Sequence, residues 1–336
     1  MCIIRVESAK RRVLHEGFVE TKAAELIGFF RKLGVDTTVV FEEGCQSKWL
    51  YDLIRPYAAE VIVCDVRENK REGSKSDKID TVKLLDWLRA GTLKKVYQGE
   101  PEMRGLKEVA RAYLAVVRDM TRVMNRIKSI FRSQGLRCTG KKVYTEEGRK
   151  QWLPGLEGGE LRLRAEQLYR HLDFLVGERR TARQALIQTA RRHRAYGLLK
   201  KIPGLGPVRV ALVLAYVMYP HRFRTKRQFW CYCGLAIVTW STGEYEMVNG
   251  RVVRNKKKVL TRGLNWNRNA ILKEVFKGAA QSASRAGMKT WFEAACARGL
   301  SRDHATLDLS RKVAAIALAI WKTGKPYDPK LISKAA

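Results

Sequence analysis

Thr-Thr-Val-Val-Phe-Glu-Glu-Gly-Cys-Gln-Ser-Lys-Trp-Leu-Tyr-Asp-Leu-Ile-Arg-Pro-Tyr-Ala-Ala-Glu-Val-Ile-Val-Cys (residues 37 to 64) decides the fold class of this chain. Thr37 to Phe41 reads as a strand, Ser47 to Ile54 as a helix, and the apolar run Val61 to Cys64 as a buried strand. Strand, helix, strand in close succession predicts parallel pairing within an α/β layer, because parallel neighbours need a crossover between them. Working outward, Ala23 to Leu33 has helical periodicity, and Cys2 to Val6 with Arg12 to Glu20 reads as a hairpin.

On the other side, the loop Asn69 to Lys75 leads into Ser-Lys-Ser-Asp-Lys-Ile-Asp-Thr-Val-Lys-Leu-Leu-Asp-Trp-Leu (74 to 88). Three-residue spacing puts Asp77 and Asp80 on one helix face, which also carries Leu84 and Leu88. Two acids on the side that leucines turn toward a core need water or a cation to offset repulsion and desolvation. A divalent metal would supply that. Two solvated acids in a first turn, favoured by the helix dipole, would give the same pattern.

The chain has 336 residues, 46% of them hydrophobic, and a formal net charge of +33 with pI near 10.2. No apolar run approaches twenty residues: Val210 to Tyr219 and Val313 to Trp321 are too short to span a bilayer, and no signal peptide or lipidation motif is present. A soluble, globular, cytoplasmic protein associated with the nucleoid is the expectation, with no membrane partner. The positive excess runs along most of the chain and points to nucleic acid, with ribosomal association open on charge alone. Seven scattered cysteines fit a reducing compartment. Cys231 and Cys233 form a lone CxC without a second pair, so two packed thiols are expected there rather than zinc.

Pro101 to Gln134 reads as one long amphipathic helix with Leu106, Val109, Tyr113, Val116, Met120, Val123, Ile127 and Ile130 on the helical period. Lys107, Arg111, Arg118, Arg122 and Arg126 step along another side with almost no balancing acids, which favours a phosphate-facing stripe over a merely solvated one. A Gly- and Pro-containing link, Trp152 to Gly159, precedes a second arginine-rich helix from about Glu160 to Tyr196. Two such helices predict an antiparallel hairpin or coiled coil that also serves as a dimer surface.

Ile-Pro-Gly-Leu-Gly-Pro-Val-Arg-Val-Ala-Leu-Val-Leu-Ala (202 to 215) is a glycine-rich turn entering an apolar helix. Gly204 and Gly206 would let backbone amides approach a phosphate beside Lys200 and Lys201, as in the helix-hairpin-helix element that grips DNA backbone; a tight helix-helix turn needs the same glycines. Further on, Phe-Trp-Cys-Tyr-Cys-Gly-Leu-Ala-Ile-Val-Thr-Trp-Ser-Thr-Gly-Glu-Tyr (229 to 245) precedes the basic stretch Arg251 to Arg262 and Gly-Leu-Asn-Trp-Asn-Arg-Asn (263 to 269). Ser241 and Thr242 are candidate nucleophiles toward a phosphodiester; Ser-Thr-Gly is also ordinary turn chemistry, and no histidine lies near in sequence to act as base.

Phe-Glu-Glu-Gly (41 to 44), Ser-Asp-Lys-Ile-Asp-Thr (76 to 81), Asn-Arg-Ile-Lys (125 to 128), Ile-Pro-Gly-Leu-Gly (202 to 206), Arg-Gln-Phe (227 to 229), Tyr-Cys-Gly-Leu (232 to 235) and Leu-Thr-Arg-Gly (260 to 263) occur in a specific order and spacing. In that pattern the chain resembles the insertion-sequence 110 family of transposases, related to Piv-type DNA invertases, over nearly all its length. The resemblance implies an α/β plus α chain. An RNase H-like (RuvC-like) metal-binding domain would cover 1–92, a helical coiled-coil spacer 93–197, and a mainly α transposase domain with the helix-hairpin-helix-like element 198–330. Four acids, Asp-Glu-Asp-Asp, bind divalent metal in that family, magnesium or manganese. Asp77 and Asp80 match the helical pair, and Glu42 the strand-end glutamate with Glu43 as the alternative register. The first aspartate has no counterpart, so the chain is expected to begin inside the second strand, through a late start or a damaged, inactive copy.

The family's catalytic serine maps to Ser241 or Thr242. The resemblance also implies DNA partners at the element ends and target, a structured guide RNA encoded by the element, and a homodimer or homotetramer. The expected activity is excision and insertion by strand cleavage and rejoining. A non-catalytic nucleic-acid-binding protein and a metal-dependent junction nuclease without a serine nucleophile are the rival readings.

Overall fold

The computed structural model describes residues 2–65, 77–99, 101–240, 245–254 and 260–329. They form two compact units, Met1–Gln98 and Gly99–Ala336. The first is mixed α/β; the second is mostly helical with short strand ladders.

The first unit opens with strands β1 (Cys2–Glu7) and β2 (Val13–Val19), an antiparallel hairpin in the register Cys2↔Val19 to Glu7↔Val13. Helix α1 (Ala23–Leu33) buries Leu26 and Phe30, one turn apart, and ends at Gly34, whose φ of 84° few other residues tolerate. Strand β3 (Thr38–Glu42), helix α2 (Ser47–Ile54) and strand β4 (Glu60–Cys64) form the expected crossover, with β3 and β4 parallel from Thr38↔Glu60 to Glu42↔Cys64. Consecutive burial of Ile62, Val63 and Cys64 is what a strand covered on both faces requires. The outer edge of β4 is closed by residues 94–96, through the Cys64↔Lys95 bridge and the bonds Asp65 N to Lys94 O and Val96 N to Val63 O. Helix α3 runs Asp77–Arg89.

The inner edges differ. No ladder joins β1 to β3 among the described residues. Between them lies a cavity of about 510 Å³, lined by every residue from Cys2 to Ala9 and every residue from Asp36 to Phe41, with Leu26 and Phe30 of α1 and Leu84 and Leu88 of α3 also on its walls. Successive strand residues point to opposite faces, so uninterrupted lining means that both strands meet the cavity edge-on.

In the second unit, α4 (Pro101–Ser133) and α6 (Gly159–Arg191) pack as an antiparallel hairpin. Early residues of α4 (Leu106, Ala110) share a core with late residues of α6 (Leu186, Ala190), whereas Val123, Ile127 and Ile130 share a second core with Ala165, Tyr169 and Leu172. The link is itself structured: α5 (Glu146–Trp152) is capped by the Thr145 hydroxyl, which accepts from Gly148 N. Helix α6 stops at Arg191 rather than continuing to Tyr196. His193 Nδ1 accepts from the Ala195 amide at 3.1 Å and starts the short α7 (Ala195–Lys200) on a new axis.

The first core continues through α8 (Pro207–Val217), where every residue from Val210 to Val217 is buried, through α9 (Lys226–Tyr232), α10 (Ala270–Ala283) and α11 (Lys289–Ala297), to α12 (Arg302–Thr323). Phe229 packs edge-on against Phe223 and Phe276 at its centre. Two antiparallel ladders interrupt the helices between α9 and α10. Strand β5 (Ile237–Trp240) pairs with β8 (Leu260–Leu264), and β6 (Tyr245–Val248) with β7 (Arg251–Arg254). Asn249 and Gly250 turn the second hairpin with φ of 50° and 75°, the left-handed pair a two-residue turn of this twist needs. No described helix is long and apolar enough to cross a membrane.

Candidate acidic site and nucleic-acid interface

Glu42 is the last residue of β3 and is half-buried. The Glu43 amide donates to Cys64 O at 2.9 Å, so pairing with β4 continues through the doublet; its own side chain is exposed. Asp77 is the first residue of α3, and its side chain lies outside the described set. Asp80, one turn on, is half-buried, on the face that continues through buried Leu84 and half-buried Leu88. A strand end and a helix start thus carry the acids. Among the described residues no three His, Cys, Asp or Glu side chains converge as a metal-binding group. The donor chemistry of Glu42, Asp77 and Asp80 is all oxygen, which suits magnesium or manganese and not a thiophilic ion.

An ion-pair chain that no sequence pattern announced holds α3 to β1. Glu7, whose side chain is 6% exposed, accepts from Arg5 Nε at 2.6 Å and from Arg89 Nη2 at 2.6 Å, and Arg5 also bonds Glu16. Arg5 and then Arg89, donating to it, hold the Glu7 carboxyl below the usual carboxylate range. Arg89 closes the last turn of α3, so this chain fixes the helix that begins with Asp77 and Asp80. The only sequence trace was Arg5 and Glu7 two apart on one strand face.

In the second unit the glycine turn is bound up in packing. Gly204 has φ of 82°, and a Cβ there would fall 2.1 Å from the Ala279 carbonyl oxygen of α10. Arg209 Nη1 donates to Gly204 O and to Ser282 Oγ, each at 2.9 Å, pinning turn to helix. Burial lowers the Arg209 pKa. Gly206 differs: its φ is −70°, it caps α8, and a Cβ would meet nothing within 4 Å. Lys200 and Lys201 are exposed beside it.

Arg111, Arg118, Arg122 and Arg126 are all exposed on α4. The stripe is less one-sided than its sequence suggests: Arg111 pairs with Glu108 at 2.7 Å and Arg122 with Asp119 at 2.9 Å, each an acid three residues earlier. Arg118 and Arg126 make no ion pair among the described residues. The CxC also departs from expectation. Cys233 is fully buried and its thiol is pushed well up by burial, but Cys231 is exposed and accepts from Asn265 Nδ2 at 3.1 Å. Ser241 and Thr242 lie outside the described residues, directly after β5.

Both units match transposase models. Residues 5–134 match the DEDD-type IS110 model described as "Transposase", and residues 196–294 match "Transposase IS116/IS110/IS902 family". The chain belongs to the IS110 family of insertion-sequence transposases. A Sinorhizobium fredii (strain NBRC 101917 / NGR234) protein named "Putative transposase y4rJ" is 26% identical over 64% of this chain, which spans 60% of that relative's length.

Proposed function

We propose that this chain cleaves and rejoins DNA strands to excise and insert its element, guided by an RNA encoded in that element. The observation that carries the reading is the order of the two matched segments, the acid-bearing α/β unit first and the basic glycine-turn unit second. In this reading the first unit is RNase H-like, and Glu42, Asp77 and Asp80 hold a magnesium or manganese ion. Bound there, the metal would polarise the scissile phosphate.

Ser241 or Thr242 supplies the attacking hydroxyl. Its oxygen bonds to phosphorus as one strand end leaves, so the phosphodiester is exchanged for a protein-DNA ester; attack by a different strand end then rejoins DNA and frees the hydroxyl. Exposed Lys200, Lys201, Arg118 and Arg126 suit sequence-independent contact with phosphates, and Gly206, unlike Gly204, borders open space. Guide RNA, dimer or tetramer formation and the boundaries 1–92, 93–197 and 198–330 belong to this reading.

The experiment is to incubate the protein with element-end DNA, guide RNA and magnesium, denature it, and look for covalently retained DNA. Wild type is expected to form the adduct. Removal of the metal or Asp80→Asn should abolish it, and either Ser241→Ala or Thr242→Ala, but not both, should do the same. Cleavage without an adduct would assign a water-using nuclease. Binding without cleavage would leave a nucleic-acid-binding module.

A further inference from the structure

Trp266 is 84% exposed, more than any other large hydrophobic side chain described in the chain. Exposure of one indole is ordinary by itself, but this one is held in a built setting. The Arg268 guanidinium stands over its ring at 4.8 Å. The turn beneath is stapled on itself and to α9. Asn265 Nδ2 donates to Asn267 O at 2.8 Å, the Asn267 amide donates to Asn265 Oδ1 at 3.0 Å, and the Asn269 amide donates to Tyr232 O at 2.8 Å. Arg268 Nη1 donates to Asn265 O at 2.9 Å. Its stem passes over Gly234, where a Cβ would lie 2.0 Å from Arg268 Cδ, so only glycine leaves this path open.

The surroundings select the ligand's charge. On α10, Lys273 follows one turn after Asn269 and exposed Lys277 one turn later. Burial lowers the Lys273 pKa first, and the nearby charges of Arg268 and Lys277 lower it further. An exposed aromatic face backed by a guanidinium and flanked by lysines is the combination that stacks a base while neutralising its phosphate. Bases inside a duplex have both faces covered, so the partner must be unpaired. An uncharged protein or lipid surface would use the ring but leave the cations without partners.

We propose that Trp266 is a stacking platform for an unpaired nucleobase of a single-stranded DNA or RNA segment, with Arg268 fixing the ring and Lys273 and Lys277 taking the adjoining phosphates. The proposal rests on the nucleic-acid reading above and adds a residue and a strand state to it. Ile237 pairs with Leu264 and Trp240 with Leu260, so this turn lies at the opposite end of the β5–β8 ladder from Trp240. Three strand residues span about 10 Å. The stacked base would therefore sit a few nucleotides from any bond handled at that other end.

The test measures binding of the full chain to labelled single-stranded DNA, single-stranded RNA and a duplex of equal phosphate number, for wild type, Trp266→Ala and Trp266→Phe. Trp266→Ala should weaken single-strand binding about five- to a hundred-fold, leave duplex binding within about twofold, and keep the salt dependence unchanged. Trp266→Phe should restore most of the loss. A loss on DNA alone or RNA alone identifies the strand. Equal weakening on duplex, or none on single strands, overturns the stacking role. Failure of wild type to bind any of the three would overturn the nucleic-acid reading and this proposal with it. Unchanged thermal unfolding of Trp266→Ala, expected for an exposed side chain, excludes misfolding as the cause.

Discussion

The two units solve burial differently. The second threads α8 through its centre, buries every residue from Val210 to Val217, and stacks Phe223, Phe229 and Phe276 edge to face. The first has a core cluster of Leu26, Phe30 and Ile54 beside a cavity of about 510 Å³ flanked by two strand edges. Close packing gives a platform that transmits any added methylene as strain, whereas an underfilled α/β layer yields and opens locally. The helical unit is thus the stiffer of the two, and the acid-bearing unit takes part of its order from the Arg5–Glu7–Arg89 chain.

The largest effect that would break this contrast lies at Gly204. Gly204→Ala places a methyl 2.1 Å from a backbone oxygen at a left-handed φ, and is expected to cost roughly 3–5 kcal/mol, read as a fall in the denaturant midpoint of the second unit. Gly206→Ala, with open space and ordinary φ, should stay within about 1 kcal/mol. A comparable loss at both would mean that the turn is not packed as described. Next, Phe276→Ala should cost about 3–5 kcal/mol, while Leu26→Ala, already beside a void, should fall near the lower end of about 2–5. Equal costs would erase the packing difference.

A third expectation uses the cavity directly. A six-residue apolar, β-branched segment fused ahead of Met1 through a short turn should slow amide exchange in β1 and β3 and stabilise the first unit by a few kcal/mol. A Gly-Ser fusion of equal length should not. Indistinguishable exchange in the two fusions would show that the β1 and β3 edges do not accept a strand.

The fourth is a pH effect. Folding lowers the Glu7 pKa below the ordinary glutamate value of 4.5, so its contribution is present above about pH 4.5 and is lost as pH falls through the folded value. Acid should therefore loosen the attachment of α3 to β1, and Glu7→Gln should flatten that pH dependence in exchange measured from about pH 5 down to about pH 3. Smallest is a pair of charge swaps on α4. Arg118→Gln and Arg126→Gln should each reduce the salt slope of nucleic-acid binding by about 1, and the ion-paired Arg111 and Arg122 by less.

Much of the local structure was legible because it obeys one period at a time. Thr37 to Cys64 alternates strand and helix within 28 residues, and the apolar positions from Leu106 to Ile130 repeat as a helix must. What sequence could not show joins distant residues. Gly204 owes its identity to Ala279, Arg268 passes over Gly234, β5 finds β8 across an intervening hairpin, and Arg89 reaches back to Glu7. Glu108 and Asp119 were in plain view, but only rotamers disclosed that they pair with Arg111 and Arg122. The acids Glu42 and Asp80 sit at a strand end and a helix start as the α/β reading required, while the side chain of Asp77 and both candidate hydroxyls lie outside the described residues.

The edges of β1 and β3 that carry no ladder among the described residues also have a colloidal consequence. Unpaired ladder groups recruit strands from other copies, and here a formal charge of +33 keeps copies apart. That repulsion reaches about 10 Å at 0.1 M salt and about 3 Å at 1 M. Salt strong enough to strip any bound polyanion from the protein would therefore also remove the guard on its own edges, and purification and self-association would pull in opposite directions.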